Sequence, residues 1–281
     1  MQKKTRRIVL LGVVAALLIG LSAWIAWGNT ALLVSEVTVA GNPLPEAFSG
    51  FRIAQVSDLH NAEFGEDQQD LVRMLKETDP DCIVLTGDLV DSRRTRIDVA
   101  VAFAEQAVQI APTYYVTGNH EARISGYGAL KQGLESAGVT VLEKERVELE
   151  REGETIALWG LHDPGFFAGE EETVLAEQLS DLAQAGDGYT ILLAHRPEFF
   201  SVYVQAGVDL VLSGHAHGGQ IRLPFVGGLI APGQGLFPEY DAGLYIEGDT
   251  HMVVSRGIGN SVFPFRVNNR PEIVVVTLVN Q

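Results

Sequence analysis

Short apolar runs rich in β-branched residues recur along the chain, and five of them end directly before a cluster of polar residues. Runs of this length, bounded by Gly, Asn or Asp, are typical of strands buried inside a sheet. The pattern therefore predicts buried strands over residues 51–57, 82–86, 113–117, 189–194 and 208–213.

Most of the segments between these runs carry apolar residues at helical spacing. They predict amphipathic helices over 67–78, 97–110, 127–137, 170–184 and 197–205. Alternating segments predict further strands over 139–142, 147–149, 155–160, 244–247, 251–255 and 273–278. Strands and helices mixed in this order indicate an α/β fold in which sheets are enclosed between helices.

The amino terminus has a different pattern. The twenty residues from Ile8 to Trp27 carry no charge, and they follow a flank that contains four basic residues. This stretch is long enough to span a bilayer, and the positive-inside rule places residues 1–7 in the cytoplasm and the rest of the chain on the extracytoplasmic side of the cell membrane. We therefore predict a single-pass transmembrane anchor over 8–27. The alternatives are a cleaved signal peptide and a twin-arginine export signal over residues 5–10.

The rest of the chain predicts a linker and first strand region over 28–50, followed by one domain over 51–281. The only cysteine, Cys82, excludes an internal disulfide, and its place in an apolar run predicts a buried small side chain. The net charge of −16 and the lack of a basic stripe argue against a nucleic-acid-binding surface. Nothing in the sequence indicates an oligomeric state.

The polar clusters at the ends of the five predicted strands are the main functional feature. They are Asp58-Leu59-His60, Gly87-Asp88-Leu89-Val90-Asp91, Gly118-Asn119-His120-Glu121, His195 and Gly214-His215-Ala216-His217. Each cluster alone would suit an ordinary turn or a structural histidine. Together they supply carboxylate, amide and imidazole groups at the carboxyl ends of strands, where the loops of an α/β sheet converge on a site. This combination indicates metal binding.

The ordered set of clusters resembles the calcineurin-like metallophosphoesterase superfamily, and the resemblance extends from about residue 51 to residue 279. Residues 213–220, 256–260 and 269–272 are similar to the bacterial membrane-associated branch of that superfamily. The resemblance implies a four-layer α/β/β/α sandwich, here with an N-terminal transmembrane helix, and the activity of a metal-dependent phosphoric ester hydrolase.

The resemblance also implies a pair of divalent metal ions that share Asp88. One ion would be held by Asp58, His60 and His217, and the other by Asn119, His195 and His215. Imidazole and carboxylate ligands suit Mn, Fe or Zn. A hydroxide that bridges the two metals would then attack a phosphomonoester, phosphodiester or pyrophosphate bond.

His120 follows Asn119 directly and resembles the histidine of the family that is not a ligand. We expect it to act as a general acid or charge stabiliser, with Asp91 or Glu121 holding its ring. His162 lies at the end of another predicted strand. We expect it either to have a structural role or to lie at the rim of the site, next to the ligands or the substrate.

Residues 221–240 form a Gly- and Pro-rich segment directly after the last predicted ligand, with apolar side chains such as Phe225 and Phe237. The segment could pack against the edge of the sandwich, or it could contact a lipid. A lipid or nucleotide-sugar-lipid phosphoester is the preferred substrate. The alternatives are a protein phosphatase, for which we expect a basic groove that the sequence does not reveal, and a metal-dependent binding or sensing module without turnover.

Overall fold

A computed structural model describes residues 2–41, 44–183, 188–261 and 263–280. Two residues of the predicted linker, Asn42 and Pro43, and the last residue of the predicted fourth amphipathic helix, Gln184, lie outside these ranges. The described helices are α1 (Gln2–Thr30), α2 (Gln69–Glu77), α3 (Ile97–Ala107), α4 (Tyr127–Ala137), α5 (Glu171–Ala183) and α6 (Phe200–Gln205).

The described strands agree with the predicted ones to within two or three residues at most ends, and four short strands lie in the segment after the last cluster. The strands are β1 (Leu33–Gly41), β2 (Arg52–Val56), β3 (Cys82–Thr86), β4 (Thr113–Val116), β5 (Thr140–Val141), β6 (Glu145–Arg151), β7 (Glu154–Gly160), β8 (Thr190–Leu193), β9 (Leu210–Ser213), β10 (Arg222–Leu223), β11 (Gly227–Gly228), β12 (Ile230–Ala231), β13 (Gly235–Leu236), β14 (Gly243–Glu247), β15 (Thr250–Val254) and β16 (Glu272–Asn280).

The long strands form two six-stranded sheets, in the orders β1-β16-β2-β3-β4-β5 and β14-β15-β9-β8-β7-β6. Strands β2 to β5 are parallel to one another, as are β7, β8, β9 and β15. Parallel neighbours require crossover connections, and helices α2, α3 and α4 supply them in the first sheet. The carboxyl ends of β2, β3 and β4 therefore lie together, as do those of β8 and β9.

The side chains on the two faces of each sheet pack against different layers, and this gives the sandwich four layers. On β3, Ile83 and Leu85 pack with α2, α3 and α4, whereas Cys82 and Val84 pack with residues of the second sheet. Helices α5 and α6 cover the outer face of the second sheet. Both faces of β3 are buried, which explains why its sequence is continuously apolar. The α/β/β/α sandwich predicted from the family resemblance is confirmed, and Cys82 is buried as expected.

Strand β1 lies within the predicted linker and first strand region. It pairs in parallel with β16 along nine residues, from Leu33 with Glu272 to Gly41 with Asn280. Val39 of β1 is fully buried in the layer between the two sheets. This edge strand is therefore part of the sandwich.

Helix α1 precedes β1 and is long and apolar enough to cross a membrane. Its apolar side chains face outward, for example Leu11 at 68% and Ile19 at 70% exposure. The end of the helix contacts the domain through Asn29, which accepts hydrogen bonds from the backbone N–H of Arg266 and from the side chain of Asn260. Arg270 packs over the ring of Trp27 and donates to the carbonyl oxygens of residues 31 and 32. These contacts join α1 to the loop that follows β15.

Candidate metal centre

The loops that follow the five predicted strands meet in one place and are hydrogen-bonded to one another. The backbone N–H of Asp58 donates to Gly87 O at 3.0 Å, and that of His60 donates to Asp88 O at 3.0 Å. In the second sheet, the N–H of Gly214 donates to His195 O at 3.0 Å. The polar clusters predicted from the sequence therefore lie side by side at the carboxyl ends of strands from both sheets.

One group of candidate ligands comprises Asp58, His60 and His217, whose ligand atoms lie within 4.8 Å of one another. All three residues are buried. The Nε2 atoms of the two histidines are 3.2 Å apart, and Nε2 of His217 is 3.5 Å from Oδ1 of Asp58. Three electron-pair donors directed at one point suit a divalent cation.

A second group comprises Asp88, His195 and His215, again within 4.8 Å of one another. Nδ1 of His195 lies 2.7 Å from the carbonyl oxygen of Thr86, so Nδ1 carries a hydrogen and Nε2 is the ring nitrogen that could bind a metal ion. Nε2 of His195 has no hydrogen-bond partner and is 3.3 Å from Oδ2 of Asp88.

Asp88 connects the two groups. Its Oδ2 lies 3.5 Å from Nε2 of His60 and 3.3 Å from Nε2 of His195. The amide oxygen of Asn119, a predicted ligand beside Asp88 in the fold, is buried without a hydrogen-bond partner. A buried polar atom without a partner is costly unless another group binds it, so these residues fit divalent metal ions.

The backbone at the candidate ligands is unusual. Residues Asp58, His60, Asp88, His215 and His217 have positive φ angles between 45° and 65°. Few residues other than glycine adopt this conformation, and such strain is found mainly at functional sites. The surrounding fold therefore holds these side chains in positions that a relaxed turn would not give them.

The glycines of the motifs allow close approach between the loops. A Cβ atom at Gly214 would lie 1.9 Å from Oγ of Ser57 and 2.5 Å from Oδ2 of Asp58. A Cβ atom at Gly118 would lie 2.3 Å from Oδ1 of Asp88. Any side chain at either position would displace a candidate ligand. Glycine is therefore required directly before His215 and directly before Asn119.

Glu121 is fully buried beneath Asp88. Its carboxylate accepts hydrogen bonds from the backbone N–H groups of Asp88 at 2.8 Å, Gly118 at 2.7 Å and Val90 at 3.2 Å. Burial and, to a lesser extent, the adjacent Asp88 raise the pKa of Glu121 to about 7, although its backbone hydrogen bonds act in the opposite direction. Glu121 thus organises the loops that carry Asp88 and Asn119, and it does not contact the ring of His120 through these bonds.

The ring of His120 is held by a backbone group. Nδ1 accepts a hydrogen bond from the N–H of Ser92 at 3.0 Å, and Nε2 lies 3.2 Å from Oγ of Ser261. Because Nδ1 is an acceptor, Nε2 carries the hydrogen in the neutral ring. The carboxylate of Asp91 bonds Arg93 instead, although one of its oxygens lies within 4.8 Å of ring nitrogens of His60 and His120. The expectation that Asp91 or Glu121 holds this ring is corrected accordingly.

His162 lies in a cluster of aromatic residues. Its ring contacts Tyr127, Phe166 and Phe167, and Nδ1 is 3.6 Å from Glu143. The backbone of His162 exchanges two hydrogen bonds with the side chain of Gln178 on α5. The structure therefore groups this residue with the packing between α4 and α5, and the described contacts do not bring it to the candidate ligands.

Burial and charge set the protonation of the centre. Burial lowers the pKa of His217 to about 3 and that of His215 well below its usual value, so both rings are neutral, the form that binds metals. Burial would raise the pKa of Asp58 and of Asp88, but the adjacent histidines hold both below the usual range. Both carboxylates are therefore ionised.

Several residues at the centre were not singled out by the sequence. Glu198 lies 3.5 Å from Nε2 of His215 and can hold that ring, as carboxylates do behind metal-bound histidines. Arg123 is exposed and lines a cavity of about 160 Å³ together with Asp88, Asn119 and His120. Arg196 lines it too, but its guanidinium is already paired with Asp163. The only sequence signal for Arg123 is its position three residues after His120, in the turn Glu121–Arg123.

Two larger cavities adjoin the centre, and Ser261 lines both of them. A groove of about 660 Å³ on the side of His60 is lined by Arg93, Arg94 and Arg96. A cavity of about 530 Å³ on the side of His217 has a mainly apolar lining: Ile230, Ala231, Pro232 and Phe263 contribute to it. The sequence alone did not reveal this groove, because Arg93, Arg94 and Arg96 reach the centre only through the fold.

The sequence model of the calcineurin-like phosphoesterase family matches residues 51–219. The metallophosphoesterase YkuE of Bacillus subtilis is 33% identical over 290 residues, covering 99% of each chain. The phosphodiesterase YaeI of Escherichia coli is 31% identical over 239 residues, covering 82% of each chain. Among solved structures, TT1561 of Thermus thermophilus has a TM-score of 0.52 at 18% identity, over 75% of this chain and 91% of that one, which supports the fold alone.

Proposed function

Because the chain belongs to the calcineurin-like phosphoesterase family and is a metal-dependent phosphoric ester hydrolase, we propose that it hydrolyses a lipid-linked phosphoester at a membrane surface. The single observation that carries this proposal is the apolar cavity next to His217. A phosphorus atom at the candidate metal centre would place one substituent of the ester in that cavity.

Two divalent metal ions bound here would supply the nucleophile from water and neutralise the charge of the phosphoryl group. We assign Asp58, His60 and His217 to one ion and Asn119, His195 and His215 to the other, with Asp88 shared. The position of Asp88 Oδ2 between His60 and His195 supports this division.

His120 is assigned to the catalytic step. Its Nε2 lies 3.2 Å from Oγ of Ser261 at the wall of the cavity that Asp88 and Asn119 also line, so its Nε2–H can donate to an oxygen of a phosphoryl or leaving group that enters this cavity. Arg123 has an exposed guanidinium at the same cavity and is assigned to a non-bridging phosphoryl oxygen, which Arg binds with two parallel hydrogen bonds.

Exposed apolar side chains occur in the segment that contributes to the lining of the apolar cavity. Phe225 is 109% exposed, Leu236 67% and Phe237 61%, and all three lie in the segment 221–240 that also lines the cavity. Isolated exposed apolar groups are common, but a cluster beside a site indicates a hydrophobic partner. A helix in the same chain that is long and apolar enough to span a membrane favours lipid as that partner.

The anchor sets the predicted location. The basic flank before α1 favours the cytoplasmic side for residues 1–7, and the domain would then lie on the extracytoplasmic side of the cell membrane. The relative from Escherichia coli is named a phosphodiesterase, which favours a diester among the three bond types considered for this chain.

The proposal is tested by making the exposed apolar side chains of the segment 221–240 polar. We expect Phe225→Ser together with Phe237→Ser to lower kcat/KM at least about tenfold for a phosphodiester in lipid vesicles, since apolar contact area is lost. Hydrolysis of bis(p-nitrophenyl) phosphate in solution should stay within about twofold. The matched control is Ile246→Ser, because Ile246 is 61% exposed on β14 and lies outside the segment 221–240. Equal effects on the lipid and the soluble ester would contradict a lipid substrate.

A further inference from the structure

Three arginines between residues 93 and 96 line the groove beside the candidate metal centre. The groove has a volume of about 660 Å³, and Arg93, Arg94 and Arg96 share it with His60, Asn260 and Ser261. The chain has a net charge of −16 and only 20 Lys and Arg residues. Three cationic side chains within four residues, next to a candidate ligand, therefore form a local positive cluster in a chain that is acidic as a whole.

The loop that carries these arginines is fixed in position relative to His60. Asn61 follows His60 and accepts hydrogen bonds from the N–H groups of Asp91 at 3.3 Å and Arg96 at 3.2 Å. It also donates to the carbonyl oxygen of Arg94 at 2.7 Å. The side chain of Asn61 thus bonds the backbone at both ends and near the middle of the loop 91–96. The loop therefore has a fixed backbone conformation before any ligand binds.

The three arginines differ in their acidic partners. Arg93 donates to Asp91 at 3.0 Å, and Arg96 is bound by both Glu63 and Asp98. In the part of the chain that the structure describes, no carboxylate lies within ion-pair distance of the exposed guanidinium of Arg94. Arg94 therefore has all five N–H donors available for an anionic group in the groove.

We propose that this groove binds a second phosphate group of the substrate, with Arg94 as the main contact and Arg93 beside it. The inference rests on the proposed function, because the first phosphate must occupy the metal centre. Planar guanidinium groups match the oxygens of a phosphate, and a partly enclosed groove weakens their screening by solvent. The substrate then carries a further phosphate on the side of His60 and an apolar group on the side of His217.

Two chromogenic diesters that differ only in the second phosphate test the proposal. We use p-nitrophenyl ethyl phosphate and p-nitrophenyl 2-phosphoethyl phosphate with the metal-loaded full chain in detergent. We expect kcat/KM about tenfold higher for the second diester, mainly through KM. Arg94→Gln should remove this advantage and leave the first diester within about twofold, and Arg94→Lys should retain part of it because the charge remains.

The control is Arg73→Gln, which removes an exposed arginine that pairs with Asp70 on α2. It should leave the ratio between the two diesters unchanged. Equal losses for both diesters in Arg94→Gln would indicate a structural role, and no change for either would indicate that the groove binds no phosphate. Both results would overturn the proposal.

A binding measurement separates this inference from the proposed function. Calorimetric titration of the same protein should show ethane-1,2-diyl bisphosphate binding about tenfold more tightly than ethyl phosphate, with the difference lost in Arg94→Gln. If the wild-type protein does not hydrolyse the phosphodiester in lipid vesicles but shows this difference, the proposed function fails and the groove remains a phosphate site. Equal affinities in the wild-type protein would overturn the groove proposal whatever the activity.

Discussion

Asp88 and His120 lie against each other, yet their side chains have different environments. Oδ2 of Asp88 lies between two candidate ligand histidines, whereas Oδ1 accepts the backbone N–H of His120 at 2.7 Å. The ring of His120 makes its own bonds to Ser92 and Ser261. If Asp88 bridges two metal ions and His120 donates a hydrogen bond to the substrate, as proposed, the two residues should respond differently to substitution.

We predict that His120→Ala keeps its bound metals and lowers kcat by about two to four orders of magnitude, the usual contribution of a positioned proton donor. Asp88→Asn should instead lose metal and rate together, because a neutral amide cannot bridge two cations. Metal content by elemental analysis and kcat at saturating substrate would be measured on the same preparations. Loss of metal in His120→Ala would contradict the role given to His120.

The ligand-type residues were predictable from the sequence because each follows an apolar strand and carries its own chemistry. Glu198 and Ser261 were not, since neither belongs to a strand-end cluster and only the tertiary fold brings them to His215 and His120. The bond from Ser92 to His120 could not be predicted either, because it uses a backbone N–H that every residue type except proline supplies.

Among the elements, β1 and β16 connect the candidate membrane helix α1 to the sandwich. Helix α1 ends at Thr30, and β1 begins at Leu33 and pairs with β16 along its whole length. The loop before β16 holds Arg266, whose backbone N–H bonds Asn29 and whose guanidinium bonds the carbonyl oxygens of Arg256 and Gly259. The candidate membrane helix and the candidate metal centre therefore both contact the loop between β15 and β16.

We predict that a chain that begins at residue 31 keeps the stability of the sandwich and that one that begins at residue 44 does not. The shorter chain loses β1, including the buried Val39, and exposes the edge of β16. Loss of this burial should cost about 3 kcal/mol. For a domain of this size the melting temperature should then fall by roughly 6–12 °C.

Calorimetry of the two truncated chains measures this difference, and light scattering checks for aggregation through the open edge. Equal melting temperatures and equal solubility would mean that β1 is not part of the folded domain. A version of the longer chain with Val39→Ala serves as an intermediate, since it removes buried apolar volume and keeps the strand.

At the scale of elements, periodicity predicted α4 at its observed bounds, and it predicted the strands before each cluster because both of their faces are buried. The short strands β10 to β13 were not predicted. Their sequence is mainly Gly, Pro and single apolar residues, without the alternation that marks a half-buried strand. Their pairing depends on close contacts such as that between Gly219 and Gly228, which no local pattern reveals.

For the whole molecule, the main consequence of the fold is that two sheets supply one site. The first sheet provides Asp58, His60, Asp88 and Asn119, and the second provides His195, His215 and His217. In the proposed assignment, each metal ion would take ligands from both sheets. Sequence order predicted the clusters, and the family resemblance predicted how they combine, but the arginine groove and the apolar cavity beside the centre depend on loops from different parts of the chain.

The most direct test of the account is the position of the metals. We predict that elemental analysis of the purified full chain, loaded with Mn, Zn or Fe, gives two divalent ions per chain. Anomalous scattering from its crystals should place one ion among Asp58, His60 and His217 and the other among Asn119, His195 and His215, with Asp88 bound to both. A single ion remote from Asp88, or no bound ion after loading, would contradict the account.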